Sequence, residues 1–125
     1  GFLADQDGYI HGLPVPFLGQ PSSAVVGPAT FAKKFGSPVV PIFTSRKPEG
    51  GHIVHILPPL HYNNSGDDDV DMYTLTEECV RVTEDFIREH PDEWIWFQHR
   101  WMTKMSEIVD YYKKLEIRER AHEKQ

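Results

Sequence analysis

Seven histidines, nineteen acidic side chains and one cysteine are the groups in this 125-residue chain whose types suit acid–base, metal or nucleophilic chemistry. Metal binding is tested first. His52 and His55 stand three apart in a stretch that alternates polar and apolar residues. A strand puts positions three apart on opposite faces, so the two imidazoles do not converge. Asp67, Asp68, Asp69 and Asp71 have the density of a calcium loop, but the glycine and the distal glutamate are missing from the offsets such a loop needs. They predict a solvated acidic loop. The single Cys79 excludes an intrachain disulfide and a cage built of thiolates alone. No Gly-rich phosphate loop, no Gly-x-Ser-x-Gly elbow and no Cys-x-x-Cys occurs. The residues therefore predict no metal site and no cofactor, and they give no support to the common hydrolase and nucleotide-binding classes.

What must position any site is one domain's worth of chain. The 39% hydrophobic and 12% aromatic content suffices for a core. A net charge of -6 argues against nucleic acid as a partner, because phosphate contacts need clustered cations. No apolar stretch approaches the roughly 18 residues of a membrane span, and the start lacks a signal-peptide pattern. As given, the piece is expected to be soluble or peripheral.

Gly1–Ala4 reads as a buried strand entered in mid-course, which predicts a fragment of a longer protein; Asp5-Gln6-Asp7-Gly8 is the turn that ends it. A Gly- and Pro-rich loop runs from Gly8 to Pro21. Ser22 or Ser23 then caps a helix of about 13 residues carrying Val25, Val26, Ala29 and Ala32, with Gly36 at its left-handed end. Pro38–Phe43 is a second strand. Strand, helix, strand in this order predicts a right-handed crossover between parallel neighbours. A hairpin turn at Pro48–Gly51 leads into an antiparallel strand over His52–Leu57, and His61–Asp71 is a surface loop. Thr74 and Glu77 form a capping box for a helix with Leu75, Cys79, Val82 and Phe86 on one stripe, ended by His90 and Pro91. Pro91 opens a short helical turn through Trp96. A last helix carries Trp101, Met105, Ile108, Tyr112 and Leu115, and the charged tail beyond Leu115 frays. The expected fold class is α/β, a mixed and mostly parallel sheet with flanking helices.

Asp5-Gln6-Asp7, Val15-Pro16-Phe17-Leu18-Gly19, Gly27-Pro28-Ala29 before Phe31-Ala32, and Ser37-Pro38-Val39-Val40-Pro41 are followed far downstream by Ile87-Arg88-Glu89-His90-Pro91, Trp94-Ile95-Trp96 and His99-Arg100-Trp101. In this order and spacing the blocks resemble the bacterial lipid A biosynthesis acyltransferase family, the late acyltransferases of lauroyl or myristoyl type. The resemblance covers residues 1 to 101 as the C-terminal part of the acyltransferase domain and leaves 102–125 as a helical C-terminal extension. It implies a glycerolipid-acyltransferase-like fold truncated at its N-terminus. It also implies transfer of a fatty acyl chain from acyl carrier protein, or acyl-CoA, to a hydroxyl of a lipid A precursor, at the cytoplasmic face of the bacterial inner membrane.

That chemistry needs a base to take the hydroxyl proton and a carboxylate to orient it, which the family supplies as a histidine and an acidic residue five positions later. Here the residues at that offset are Pro16 after His11, Leu57 after His52, Leu60 after His55, Gly66 after His61, Ile95 after His90 and Lys104 after His99; His122 has none. The resemblance thus implies that the pair and the membrane anchor lie upstream, that no catalytic residue is present, and that this piece alone is inactive. A face left open by the missing half is expected to self-associate.

Six residues are candidates for shaping the substrate site. Asp5, Gln6 and Asp7 either orient polar groups near the reacting centre or close a turn through their own backbone. Phe17 walls an acyl channel or fills the core. Arg46 offers a fixed fork of donors to a phosphate or stands in water at the hairpin. Arg100, between aromatics, meets a lipid headgroup or packs at a helix end. Trp94, Trp96 and Trp101 face a membrane interface or the sheet. Two other readings remain: a non-catalytic module that docks a protein through the final Glu- and Lys-rich helix, and a related glycerolipid acyltransferase, whose Phe-Pro-Glu-Gly block is absent.

Overall fold

The computed structural model describes residues 1–123; Lys124 and Gln125, the end of the tail expected to fray, lie outside the described residues. The elements run β1 (Leu13–Pro14), β2 (Ser23–Ala24), α1 (Gly27–Phe35), β3 (Ile42–Arg46), β4 (His52–Ile56), α2 (Asp68–Glu89) and α3 (Tyr111–Glu123). The class is mixed α/β, but the sheet differs from the expected one. Among the described residues the strands form two antiparallel pairs, β1 with β2 and β3 with β4, and no parallel crossover.

Two local causes account for that correction. Gly1–Ala4 is not a strand, and Phe2 instead lies edge-on to Phe31 at 5.2 Å, over a Gly27 whose added Cβ would meet the Phe2 ring at 2.5 Å. Pro38 and Pro41 bring no N–H to a ladder, so the Val39-Val40 stretch makes only an isolated bridge from Val39 to Leu60, and the strand starts at Ile42. The hairpin itself is as expected, with register Ile42 to Ile56 through Arg46 to His52 and a turn closed by Lys47 N–H to the Gly51 carbonyl at 3.0 Å.

Helix starts also moved. α1 begins at Gly27 with Pro28 in its first turn, not at Ser22 or Ser23, and ends as expected on left-handed Gly36. The two serines are buried brackets for the preceding loop: Ser22 Oγ donates to the Val15 carbonyl and Ser23 Oγ to that of Tyr9, each at 2.6 Å. Gly8 and Gly12 are glycines because a Cβ on either would run into the Ser23-Ala24 backbone or the Ser23 hydroxyl.

α2 begins at Asp68, so residues 61–67 form the expected loop and its last four residues, 68–71, are instead the first turn of the helix. The Asp67 carboxylate accepts from Val70 N–H at 3.2 Å, and Asp68, Asp69 and Asp71 follow it, where negative charge suits the positive helix end. Thr74, expected to cap, instead bonds back to the Val70 carbonyl. After the predicted stop at His90, Pro91 opens a turn but no helix. Nor is there a helix from Trp101: a short 3-10 turn at Met105–Glu107 and a left-handed Asp110 (φ 55°) precede α3. The proposed stripe through Tyr112 is not its buried face. α3 buries Ile117 and Ala121 and continues past Leu115, held on α2 by Arg120 to Asp67 at 3.5 Å and His122 to Glu77 at 2.9 Å.

α2 is the centre of the packing. One side, with Val70, Tyr73, Val80 and Ile87, meets Leu13, Val15, Phe17 and α3; the other, with Leu75 and Cys79, meets Ala29 and Ala32 of α1. The β3–β4 hairpin docks on the end of α2 through Phe43, stacked on Phe86 at 4.5 Å and 9°, with His55 edge-on to the same ring. Its opposite face leaves Ile42, Val54 and Ile56 exposed. With so few anchors, Phe86→Ala should cost about 2 kcal/mol. Hydrogen exchange should then show faster opening of residues 42–56 while the first four turns of α2 stay protected.

Candidate functional site

A groove of about 590 Å³ runs between Gly1–Asp5, α1, the segment 37–44 and α2. Its wall is largely apolar, with Phe2, Phe31, Val39, Val40, Phe43 and Phe86 prominent, because α1 and α2 present small and branched residues here and Pro38 and Pro41 keep residues 38–41 out of the β3–β4 ladder. Polar groups gather at Asp5 and Glu93, beside Trp94. The Asp5 carboxylate is positioned through Oδ2, which accepts from Trp94 Nε1–H at 3.0 Å and Gln98 Nε2–H at 3.2 Å; Oδ1 is left free of these two donors. Arg46 donates to Glu93 from its backbone N–H at 2.8 Å and from Nε at 3.1 Å. These contacts, the backbone one foremost, hold the Glu93 carboxyl below its usual range and keep it ionised. Cys79 also lines the groove, but burial, aided by Glu78, pushes its thiol up to about 11. It is protonated at neutral pH and is not a nucleophile there.

The six sequence candidates divide. Asp5 reaches the groove. Gln6 is exposed and makes no side-chain contact among those described. Asp7 is buried and structural: Oδ1 accepts from Tyr9 N–H at 2.7 Å and Thr103 Oγ–H at 2.6 Å, and Oδ2 from Thr103 N–H at 3.0 Å. The turn reading holds for the Tyr9 bond, but the larger part of its work is to tie residue 103 to residue 7. Phe17 is core, 1% exposed and flanked by Trp94 at 5.4 Å and Trp101 at 5.8 Å. Arg46 is engaged with Glu93 and, at 3.6 Å, Asp92.

Arg100 is fully buried, its guanidinium 4.3 Å from the centre of the Phe17 ring and its Nη1 donating to the Ser23 carbonyl at 2.9 Å. Nε and Nη2 have no partner among the described residues. Burial lowers its proton affinity, and the charges of Asp7, Asp5 and Glu84 act against that loss. Arg100 is therefore a buried cation within the field of three carboxylates, and its side chain is enclosed by the fold rather than presented at a helix end.

Several residues at or behind the groove had no signal in the sequence. Thr103 and Gln98 act only through partners more than 90 positions away. Glu84 receives the Leu18 N–H at 2.7 Å and pins the Gly-Pro loop to α2, although on periodicity alone it is one more exposed helix acid. The tryptophans separate: Trp94 and Trp101 pack against the core, while Trp96 is half exposed.

Because Asp7 and Arg100 face one another's field in a dry interior, their substitutions should not add. Arg100→Ala, which opens a cavity and leaves the carboxylates uncompensated, should cost about 3 kcal/mol. Arg100→Met, which keeps the volume, should cost less, and Asp7→Asn combined with Arg100→Met should be more stable than the two single losses sum to, by about 1 kcal/mol. Urea titration of the four proteins measures each term.

The family model for bacterial lipid A biosynthesis acyltransferases matches residues 1–103, a span that starts in the groove wall and ends on the Thr103 that Asp7 holds. No curated protein matches the chain. The matched residues include the Asp5–Asp7 turn, the Phe17 loop, the groove wall and the Arg100 segment, and the chain belongs to the bacterial lipid A biosynthesis acyltransferase family.

Proposed function

We propose that this chain forms the acyl-holding part of an enzyme that moves a fatty acyl chain from acyl carrier protein, or an acyl-CoA, to a hydroxyl of a lipid A precursor at the cytoplasmic face of the inner membrane. The observation that carries the reading is the groove. Its volume falls in the range of small-molecule sites, roughly 300 to 1,000 Å³, and its wall offers an alkyl chain apolar contact along most of its length. Burying methylenes there contributes about 0.8 kcal/mol each, enough to hold a long chain without any charged contact. The polar rim suits the thioester or hydroxyl end. Asp5, fixed through one oxygen by Trp94 and Gln98, has a second oxygen to orient a hydroxyl or a base. Arg46 serves this end indirectly, by fixing Glu93, and Arg100 by compensating the charge of Asp5 and Asp7.

No histidine of the chain has an acidic residue at the offset the family uses, and Cys79 is protonated, which supports reading this piece as carrying neither the base for the acceptor hydroxyl nor an acyl nucleophile. The base and its carboxylate belong to upstream sequence in this reading, as does the membrane anchor.

Radiolabelled acyl carrier protein and a lipid A precursor test it directly: transfer is expected from the intact protein and none from residues 1–125 alone. Val40→Trp in the intact protein narrows the groove from a half-exposed position. It should cut transfer of the native long chain at least about tenfold while a donor several carbons shorter is affected less. An unchanged chain-length preference, in a variant whose melting temperature is also unchanged, would remove the groove from the acyl site.

A further inference from the structure

The turn after α2 ends in three consecutive large apolar residues that the fold leaves in water: Ile95 is 69% exposed, Trp96 50% and Phe97 96%. We propose that this tip is a lipid-bilayer contact that inserts into the interfacial layer of a membrane. The proposal stands independently of the acyl-groove reading, since it rests on the surface of the turn and not on the groove.

Four observations favour a bilayer over a protein partner. The first is shape. A protein interface needs a face of roughly 800 Å² per side, whereas three adjacent side chains on a projecting turn provide depth of insertion instead of area. The second is polarity within the tip. Trp96 Nε1–H donates to the Pro91 carbonyl at 2.7 Å, so the indole enters an apolar layer without an orphaned donor. The third is the backbone: Gln98 N–H bonds the Ile95 carbonyl at 3.3 Å, which folds the three side chains onto one short turn. The fourth is charge. Arg46 lies 3.1 Å from Glu93 and 3.6 Å from Asp92, so one cation offsets one of the two negative charges that precede the tip. The turn is also braced from behind, with Trp94 packed 4.7 Å from Trp96 and seated on the core through Phe17, so the tip is presented by a rigid base.

Insertion of this kind is apolar and weakly dependent on salt, unlike attraction of a basic patch. The 125-residue chain is expected to co-sediment with vesicles of phosphatidylethanolamine and phosphatidylglycerol in 3:1 ratio, and to remain bound in 0.5 M salt. Ile95→Ser with Phe97→Ser should weaken binding at least about tenfold, since each removes a side chain that lipid would cover. Tyr112→Ser, at an equally exposed residue away from the tip, should leave binding unchanged. Brominated acyl chains should quench the fluorescence of the wild-type chain, and Trp96→Phe should bind as well but lose most of that quenching, because Trp94 and Trp101 are packed inside. The serine changes fall on exposed side chains, and circular dichroism verifies that each variant is folded. The proposal is overturned if the wild-type chain stays in the supernatant, if binding disappears in high salt, or if the double variant still binds. It is equally overturned if the double variant changes the chain from dimer to monomer in sedimentation velocity without altering vesicle binding, which would make a second copy the occupant.

Discussion

Everything in this fold depends on α2 burying two sides at once. The strands are two to five residues long and make two separate ribbons, neither of which is wide enough to serve as the floor of a core. A 22-residue helix with Tyr73, Val80 and Ile87 on one side and Leu75 and Cys79 on the other supplies that floor instead. α1 covers one side, while α3 and the Gly-Pro loop cover the other. The groove exists because α1 covers only part of its side: past Ala29 and Ala32 the surface of α2 continues through Val82, Thr83 and Phe86, and the segment 37–44 forms the facing wall, touching α2 where Phe43 stacks on Phe86.

The second constraint is the buried charge behind the groove. Sealing Arg100 in the interior with two donors unpaired is costly, and the stack on Phe17 and the bond to Ser23 recover only part of the hydration it loses. The fields of Asp7, Asp5 and Glu84 offset part of what is left, and burial remains the larger effect. The three carboxylates in the field of Arg100 are each fixed by other partners: Asp5 by Trp94 and Gln98, Asp7 by Thr103 and Tyr9, and Glu84 by Leu18 N–H. The first and last parts of the family-matched span meet where Asp7 holds Thr103.

Local chemistry was legible in the sequence wherever the determining partner lies within a few residues. The hairpin around Pro48–Gly51, the left-handed end of α1 at Gly36 and the stop of α2 before Pro91 are all of this kind. The family was legible as well, because its blocks are collinear. What failed was pairing between distant segments. Val39-Val40 has the composition of a buried strand, yet flanking prolines deny it a ladder, and Gly1–Ala4 has no neighbour to pair with. Ser22-Ser23 has capping chemistry, yet its hydroxyls serve carbonyls 7 and 14 residues earlier. The acidic run looked like a loop because its low apolar content outweighed the helix-start preference of Asp67–Asp71, which only the packed Val70 and Tyr73 decide. Of the site candidates, Asp5 was open between two readings in the sequence, because the Trp94 and Gln98 that hold it are 89 and 93 positions away. The roles of Asp7, Phe17 and Arg100 as a buried unit required knowing what lies opposite them.

The turn from His90 to Arg100 joins these two constraints. Its middle, Glu93 and Trp94, forms the polar end of the groove, its later residues Gln98 and Arg100 hold Asp5 and compensate it, and its tip leaves Ile95, Trp96 and Phe97 in water. Polarity therefore changes twice over a short length of chain, from apolar tip to charged rim to apolar groove. An alkyl chain crossing from a bilayer to the groove would meet water only at the rim, where Arg46 and Glu93 already satisfy one another and Asp5 is held by two donors. Free ions at that rim would keep a hydration shell that the chain had to displace; paired ones shed most of it in advance. The Arg46–Glu93 pair matters on this view less for the small stability an exposed ion pair contributes than for lowering the cost of moving an apolar ligand past it.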